Sequence, residues 1–163
     1  MITQKELKEI LEYNPESGLF TWLTGKTKGK IAGSKNKKGY ICIKAGSKIS
    51  KAHRLAFLYT NGELPENEVD HINQIKDDNK WDNLREVSTG ENAKNRSVCT
   101  NNKTGVMGVT WHNKNSRWVA NITVDGKRIY LGSFVQFSDA VNARKNAEVL
   151  YGFHENHGKD KVC

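Results

Sequence analysis

Val69 to Asn95 reads VDHINQIKDDNKWDNLREVSTGENAKN, and this stretch decides the fold. Val69 to Ile72 has the β-branched character of a short strand, and Asn83 to Val87 that of a second. The polar run Asn73 to Asp82 between them is a loop. Ser88 and Glu91 stand three apart, the spacing of a capping box, which places Asn92 in the first turn of a helix. The segment is therefore a strand, loop, strand, helix unit. Its polar skeleton is Asp70-His71, eleven residues, Asn83, eight residues, Asn92. Taken singly, an Asp-His pair is an ordinary surface feature and an Asn an ordinary turn residue. The three together, in order and followed by a capped helix, ask for a chemical reading.

That skeleton resembles the HNH nuclease motif of phage and intron-encoded homing endonucleases. The resemblance runs from Phe20 to Arg96 and includes the upstream stretch GYICIKAGSKISKAHRLAF. Cutting a phosphodiester needs an attacking water, a base for its proton and a cation for the charge that develops on oxygen. The resemblance implies His71 as general base and Asn83 as the residue that holds the imidazole through its side-chain carbonyl. It implies Asp70 and Asn92 as the two oxygen donors to one divalent cation; so small a protein share of oxygen ligands suits Mg²⁺ or a similar hard ion. Asn79 and Asn95 are further polar contacts. Adjacent strand residues point to opposite faces, so Asp70 and His71 would need a twisted or bulged strand end to serve one site. His53 opens an apolar helix and reads first as a structural histidine.

Working outward, charge is distributed in blocks. Ser17 to Gly62 holds nine Lys, one Arg and no acid, Glu63 to Glu91 holds nine acids against three bases, and Asn92 to Phe153 holds nine bases against three acids. The net charge is +8 and the sequence pI about 9.4. An acidic island between basic flanks fits a cation-holding centre between two parts that grip a polyanion, double-stranded DNA first. It is an odd pattern for a membrane-surface protein. No apolar run is long enough for a membrane helix. The N-terminus MITQKELKEIL lacks the apolar centre of a signal peptide. Cys42, Cys99 and Cys163 are odd in number and far apart, which argues for a reducing compartment. The expected location is the cytoplasm, that of a host cell if the gene is a phage's. No small-molecule cofactor besides the metal is expected.

Upstream, Thr3 to Tyr13 reads as an amphipathic helix opened by a Thr3/Glu6 capping box. Asn14 to Gly18 is a turn, Leu19 to Leu23 a strand, and Thr24 to Lys38 a basic loop. Gly39 to Lys44 and Lys48 to Ala52 form a hairpin, and His53 to Tyr59 a short buried helix ended at Asn61-Gly62.

Downstream, Thr100 to Gly105 is polar and aperiodic. Three strands follow, Val106 to His112, Arg117 to Val124 and Lys127 to Phe134, with Asp125-Gly126 as a two-residue hairpin turn. A helix over Ser138 to Tyr151 closes the pattern. The pieces GV, RWVANI, KRIYLGSF and the Ala-rich helix resemble the APETALA/ethylene-response-factor DNA-binding domain, which implies a sheet laid in the major groove. Alternation puts Trp118, Ala120, Ile122 and Val124 on the helix face. Arg117, Asn121, Arg128 and Tyr130, with Thr110, Trp111 and Lys114 from the first hairpin, form the expected DNA-reading face. Thr110 and Thr123 stand where the plant domains carry Arg, so the plant target sequence is not carried over.

The fold class expected is α+β: a ββα-metal HNH core followed by a small three-stranded antiparallel sheet on one helix. Residues 1–99 form the nuclease domain (basic region 1–62, core 63–99), and 100–163 the DNA-binding domain. The expected function is homing-type, metal-dependent DNA cleavage. The alternative is a non-catalytic DNA-binding regulator on an HNH fold. An RNA-binding module is disfavoured by the absence of aromatic-rich RNP-type strands.

Overall fold

The computed structural model describes residues 2–95, 98 and 102–159. The chain divides into two compact units, Met1–Ser88 and Thr89–Cys163. The proposed domain junction at Thr100 begins on residues outside the described set.

In the first unit, α1 (Gln4–Ile10) starts at the Thr3/Glu6 capping box, with both reciprocal hydrogen bonds formed. It stops three residues before the expected end. Leu11–Asn14 is instead strand β1, paired antiparallel with β2 (Leu19–Trp22), Leu11 opposite Trp22 and Asn14 opposite Leu19. Leu11 and Tyr13 are buried while Glu12 and Asn14 are exposed, a two-residue period that overrides the helical reading once a partner strand lies alongside. The turn between them is held by the Asn14 side chain, whose Oδ1 accepts from the Glu16 and Ser17 amides.

The basic stretch contributes β3 (Ser34–Lys35), and the expected hairpin is β4 (Ile41–Ala45) with β5 (Lys48–Lys51). Helix α2 (Ala52–Asn61) follows directly and ends at Gly62, in the left-handed region at φ 91°. The acidic stretch forms an antiparallel ribbon of β6 (Glu68–His71) and β7 (Leu84–Val87). The core gathers Leu7, Leu11, Tyr13, Phe20, Ile43, Leu55, Leu58 and Leu84, so α1, β1, β2, β4, α2 and β7 each contribute a buried side chain.

The second unit holds α3 (Thr89–Ala93), a three-stranded antiparallel sheet with its middle strand second in sequence, and helix α4 (Phe137–Leu150). Strand β8 is Val109–His112, β9 Arg117–Val124 and β10 Lys127–Phe134. The β9–β10 turn has φ 49° at Asp125 and 77° at Gly126, the positive pair that a tight hairpin turn requires. Val109, Ala120 and Ala140 form the centre of its core, with Trp118, Leu131, Phe134 and Phe137 around them. No helix among the described residues is long and apolar enough to cross a membrane.

Candidate active site

Strand β6 carries Asp70 and His71 at its end, and both side chains are buried. Asp70 stands opposite Arg85 and His71 opposite Leu84. The Arg85 guanidinium donates to one carboxylate oxygen of Asp70 from Nε at 3.1 Å and from Nη2 at 2.9 Å. This charge-assisted contact fixes the orientation of the carboxylate.

The β6–β7 loop folds back on the same strand end. Asn79 is 2% exposed, and its side-chain Oδ1 meets His71 Nε2 at 3.2 Å. Its Nδ2 donates to the Asp77 carbonyl, which sets the amide so that oxygen faces the imidazole. An amide oxygen only accepts, so Nε2 of His71 carries a proton and Nδ1 of the neutral ring is the acceptor. The loop is anchored from outside. Tyr13 donates its hydroxyl to the Asn79 carbonyl at 2.7 Å, and the Trp81 amide donates to the Pro15 carbonyl. Gly18, at φ 73°, lies so close that a Cβ there would stand 2.4 Å from Asn79 C and Lys80 N.

Asn83 takes a different place from the one expected. Its Oδ1 accepts from the Asn73 amide at 2.9 Å, and its Nδ2 donates to the Asp78 carbonyl at 2.7 Å. It ties the two ends of the loop together, and Asn79, the lesser candidate in the sequence, makes the contact with the imidazole. The physical reason is reach. The Asn83 side chain spans the loop base and is consumed by two backbone groups, while Asn79 sits on the loop's return.

The position of His53 in the sequence points to a structural place, and it is 3% exposed at the start of α2. Its ring also lies edge-on to His71, centroids 5.0 Å apart, and 5.4 Å from the Tyr40 ring. Nδ1 of His53 makes no hydrogen bond. Burial pushes its pKa down to about 3, with the His71, Lys51 and Arg54 charges acting in the same direction. Burial also lowers His71, against the upward pull of Asn79 and of the carboxylates of Asp70, Asp78 and Asp77. Both rings are neutral at neutral pH. A histidine heading an apolar helix was the available signal for His53, but sequence spacing does not reveal that two residues eighteen positions apart share one aromatic cluster.

The remaining expected metal donor, Asn92, lies in α3, the five-residue helix of the second unit. Asn95 is buried in the turn after it.

On the sheet of the second unit, cross-strand pairs place Thr110, Val119 and Ser133 on one face with Asn121, Tyr130, Thr123 and Arg128. Thr110, Arg117, Arg128 and Tyr130 are exposed, as is Lys114 in the short turn after β8. Two residues of the expected set differ. Trp111 pairs with Trp118 on the opposite face, ring centroids 5.0 Å apart, and Trp118 continues onto Phe137 of α4. Asn121 shares the outer face but is only 8% exposed. It lines a cavity of about 800 Å³ together with Thr89, Lys94, Met107, Arg128 and His157.

Residues 50–94 match the family model of the HNH endonucleases. The matched stretch holds His53, Asp70, His71, Asn79, Asn83 and Asn92. Protein 3.8 of Escherichia phage T7 is 28% identical over 82 residues, which is 50% of this chain and 68% of that protein. A solved structure describing DNA binding and cleavage by the HNH homing endonuclease I-HmuI aligns at a TM-score of 0.44 and 22% identity, covering 90% of this chain and 88% of that one.

Proposed function

We propose that the protein is a metal-dependent DNA endonuclease in which His71 is the general base. One observation carries the reading: inside the HNH match, a buried neutral imidazole is gripped at Nε2 by Asn79, with the Asp70 carboxylate next to it on the same strand. The grip fixes the tautomer, so Nδ1 is the atom that takes a proton from the attacking water. The oxygen of that water then forms a bond to phosphorus, and the bond to the leaving sugar oxygen breaks. Asn83 acts one step away, by holding the loop from which Asn79 reaches the ring.

The donor chemistry fits a hard divalent cation. Asp70 offers a buried carboxylate whose orientation Arg85 fixes, and Asn92 offers an amide oxygen. When bound, such an ion supplies positive charge for the developing phosphorane and the leaving oxygen. Mg²⁺ is the ion the oxygen donors favour.

On this reading residues 1–99 cut, with the lysine-rich stretch Lys26 to Lys51 as their grip on the phosphate backbone, and residues 100–163 position the DNA; this division of labour falls eleven residues beyond the Ser88/Thr89 boundary of the compact units. In the latter, Thr110, Lys114, Arg117, Arg128 and Tyr130 are the contacting residues. The DNA-binding reading of that domain rests on its exposed basic sheet face and on its resemblance to the APETALA/ethylene-response-factor pattern.

The test is incubation of the protein with supercoiled plasmid. Relaxed or linear product should form with Mg²⁺, stop with EDTA and return on adding Mg²⁺. Asp70→Ala should lower activity and divalent-ion binding together. Cutting that persists in EDTA would rule this mechanism out. DNA binding without any cutting would favour the non-catalytic regulator.

A further inference from the structure

Beside the His71 cluster stands a feature that the catalytic reading leaves unused. Tyr40 lies just before β4, half-buried, its ring 6.0 Å from that of His71. Two lysines from different parts of the first unit converge on this one ring. Lys51, at the junction of β5 and α2, holds its ammonium 4.4 Å from the ring centroid, and Lys76, in the β6–β7 loop, 5.1 Å. Lys76 is fixed further by donating to the Lys38 carbonyl at 3.1 Å.

Among the described residues neither ammonium has a carboxylate partner, although acids are close at hand. Asp77, next to Lys76 in sequence, pairs with Lys35 at 2.6 Å instead. Two like charges drawn to one aromatic ring repel each other, and the ring quadrupole offsets only part of that repulsion. The arrangement is most favourable when an anion joins it. The ring also restrains two side chains that would otherwise lose much rotamer freedom on binding. Lys51 is near enough to the catalytic cluster to act on the charge of His53.

We propose that Lys51 and Lys76, held on Tyr40, form a subsite for a backbone phosphate of the cut strand adjacent to the scissile one. The subsite sets the register of the strand so that the scissile phosphate meets His71. The proposal rests on the endonuclease reading. It assigns the pair a positioning role, distinct from the diffuse attraction of the other lysines.

The experiment uses the full chain and a linear DNA duplex, in two arms. In the first, binding is measured in a His71→Ala background across a salt series. Lys51→Gln with Lys76→Gln should weaken binding by roughly tenfold at moderate salt and reduce the log–log salt slope by about 0.9 for each lysine. In the second, single-turnover cutting is measured at saturating DNA in the presence of Mg²⁺. The double variant should cut more slowly even when fully bound. Tyr40→Leu, which keeps both charges and removes their platform, should slow cutting more than Tyr40→Phe. The comparison variant is Lys5→Gln, an exposed lysine on α1 outside the proposed grip, which should leave the rate at saturation unchanged.

Unchanged salt slope and unchanged saturated rate in the double variant would overturn the subsite. A saturated rate lowered as much by Lys5→Gln would reduce it to general electrostatics and overturn it equally. A wild-type protein that binds DNA but cuts none would sink the endonuclease reading, while the salt slope still decides whether the lysine pair holds phosphate. Absence of DNA binding by the wild type would overturn both.

Discussion

His53 makes the stability of the first unit depend on pH, and the structure sets the size of the effect. The imidazole is 3% exposed and its pKa is pushed from 6.5 down to about 3. The unfolded chain therefore binds a proton that the folded chain refuses throughout the window between those values. Stability contributed by the neutral ring is present above pH 6.5 and is lost as pH falls toward 3. The slope approaches about 1.4 kcal/mol per pH unit for this one group, and the loss reaches about 2 kcal/mol at pH 5. That is a sizeable share of the roughly 5–15 kcal/mol that hold a domain together. The perturbation is His53→Phe, which keeps a flat ring against Tyr40 and His71. It removes no hydrogen bond at Nδ1, because none is formed there. Urea denaturation followed by circular dichroism at half-unit steps from pH 7 to 4.5 gives both curves. Other groups titrate in the same range, but they are common to both proteins. The readout is therefore the difference in slope, which is independent of any repacking cost at neutral pH. Parallel curves would refute the claim that His53 is buried in its neutral form.

The other expectations concern the site and the units. His71→Ala should lower the cutting rate by about 10²–10⁴-fold while DNA affinity persists, measured by single-turnover cleavage and by mobility shift. Gly18→Ala places a methyl group against the Asn79–Lys80 backbone at a positive φ, so it should destabilise the first unit by more than about 1 kcal/mol and slow cutting as the Asn79 grip on His71 loosens. A fragment from Thr89 to Cys163 should fold and bind DNA without cutting it. It should melt at a higher temperature than one from Asn101, because the Lys94 ammonium donates to the Tyr151 carbonyl and the His154 amide to the Lys94 carbonyl. Equal melting temperatures would show that these contacts add nothing.

Much of the fold was legible before any coordinates, for local reasons. The Thr3/Glu6 box, the Asn61-Gly62 helix end, the Asp125-Gly126 turn and the alternation of Arg117 to Val124 are each set by neighbours a few residues away. Misjudged boundaries fell where a distant partner decided. Leu11 to Tyr13 continues a helical pattern in sequence but pairs with Phe20 to Trp22 in space.

The sequence by itself determined that Asp70, His71, Asn83 and Asn92 come in an order suited to phosphodiester chemistry, and that the lysines lie on either side of them. Only the tertiary structure decided which side chain grips the His71 imidazole. Asn79 does so because Tyr13 and the Pro15–Gly18 turn press its loop against the end of β6, and no spacing rule encodes that contact. The same holds for the cluster of Tyr40, His53 and His71, and for the two lysines on the Tyr40 ring. Residues far apart in sequence meet where burial of α2 against the strands brings them together. Sequence periodicity reports which face of an element is buried, but not which residue of another element it meets there.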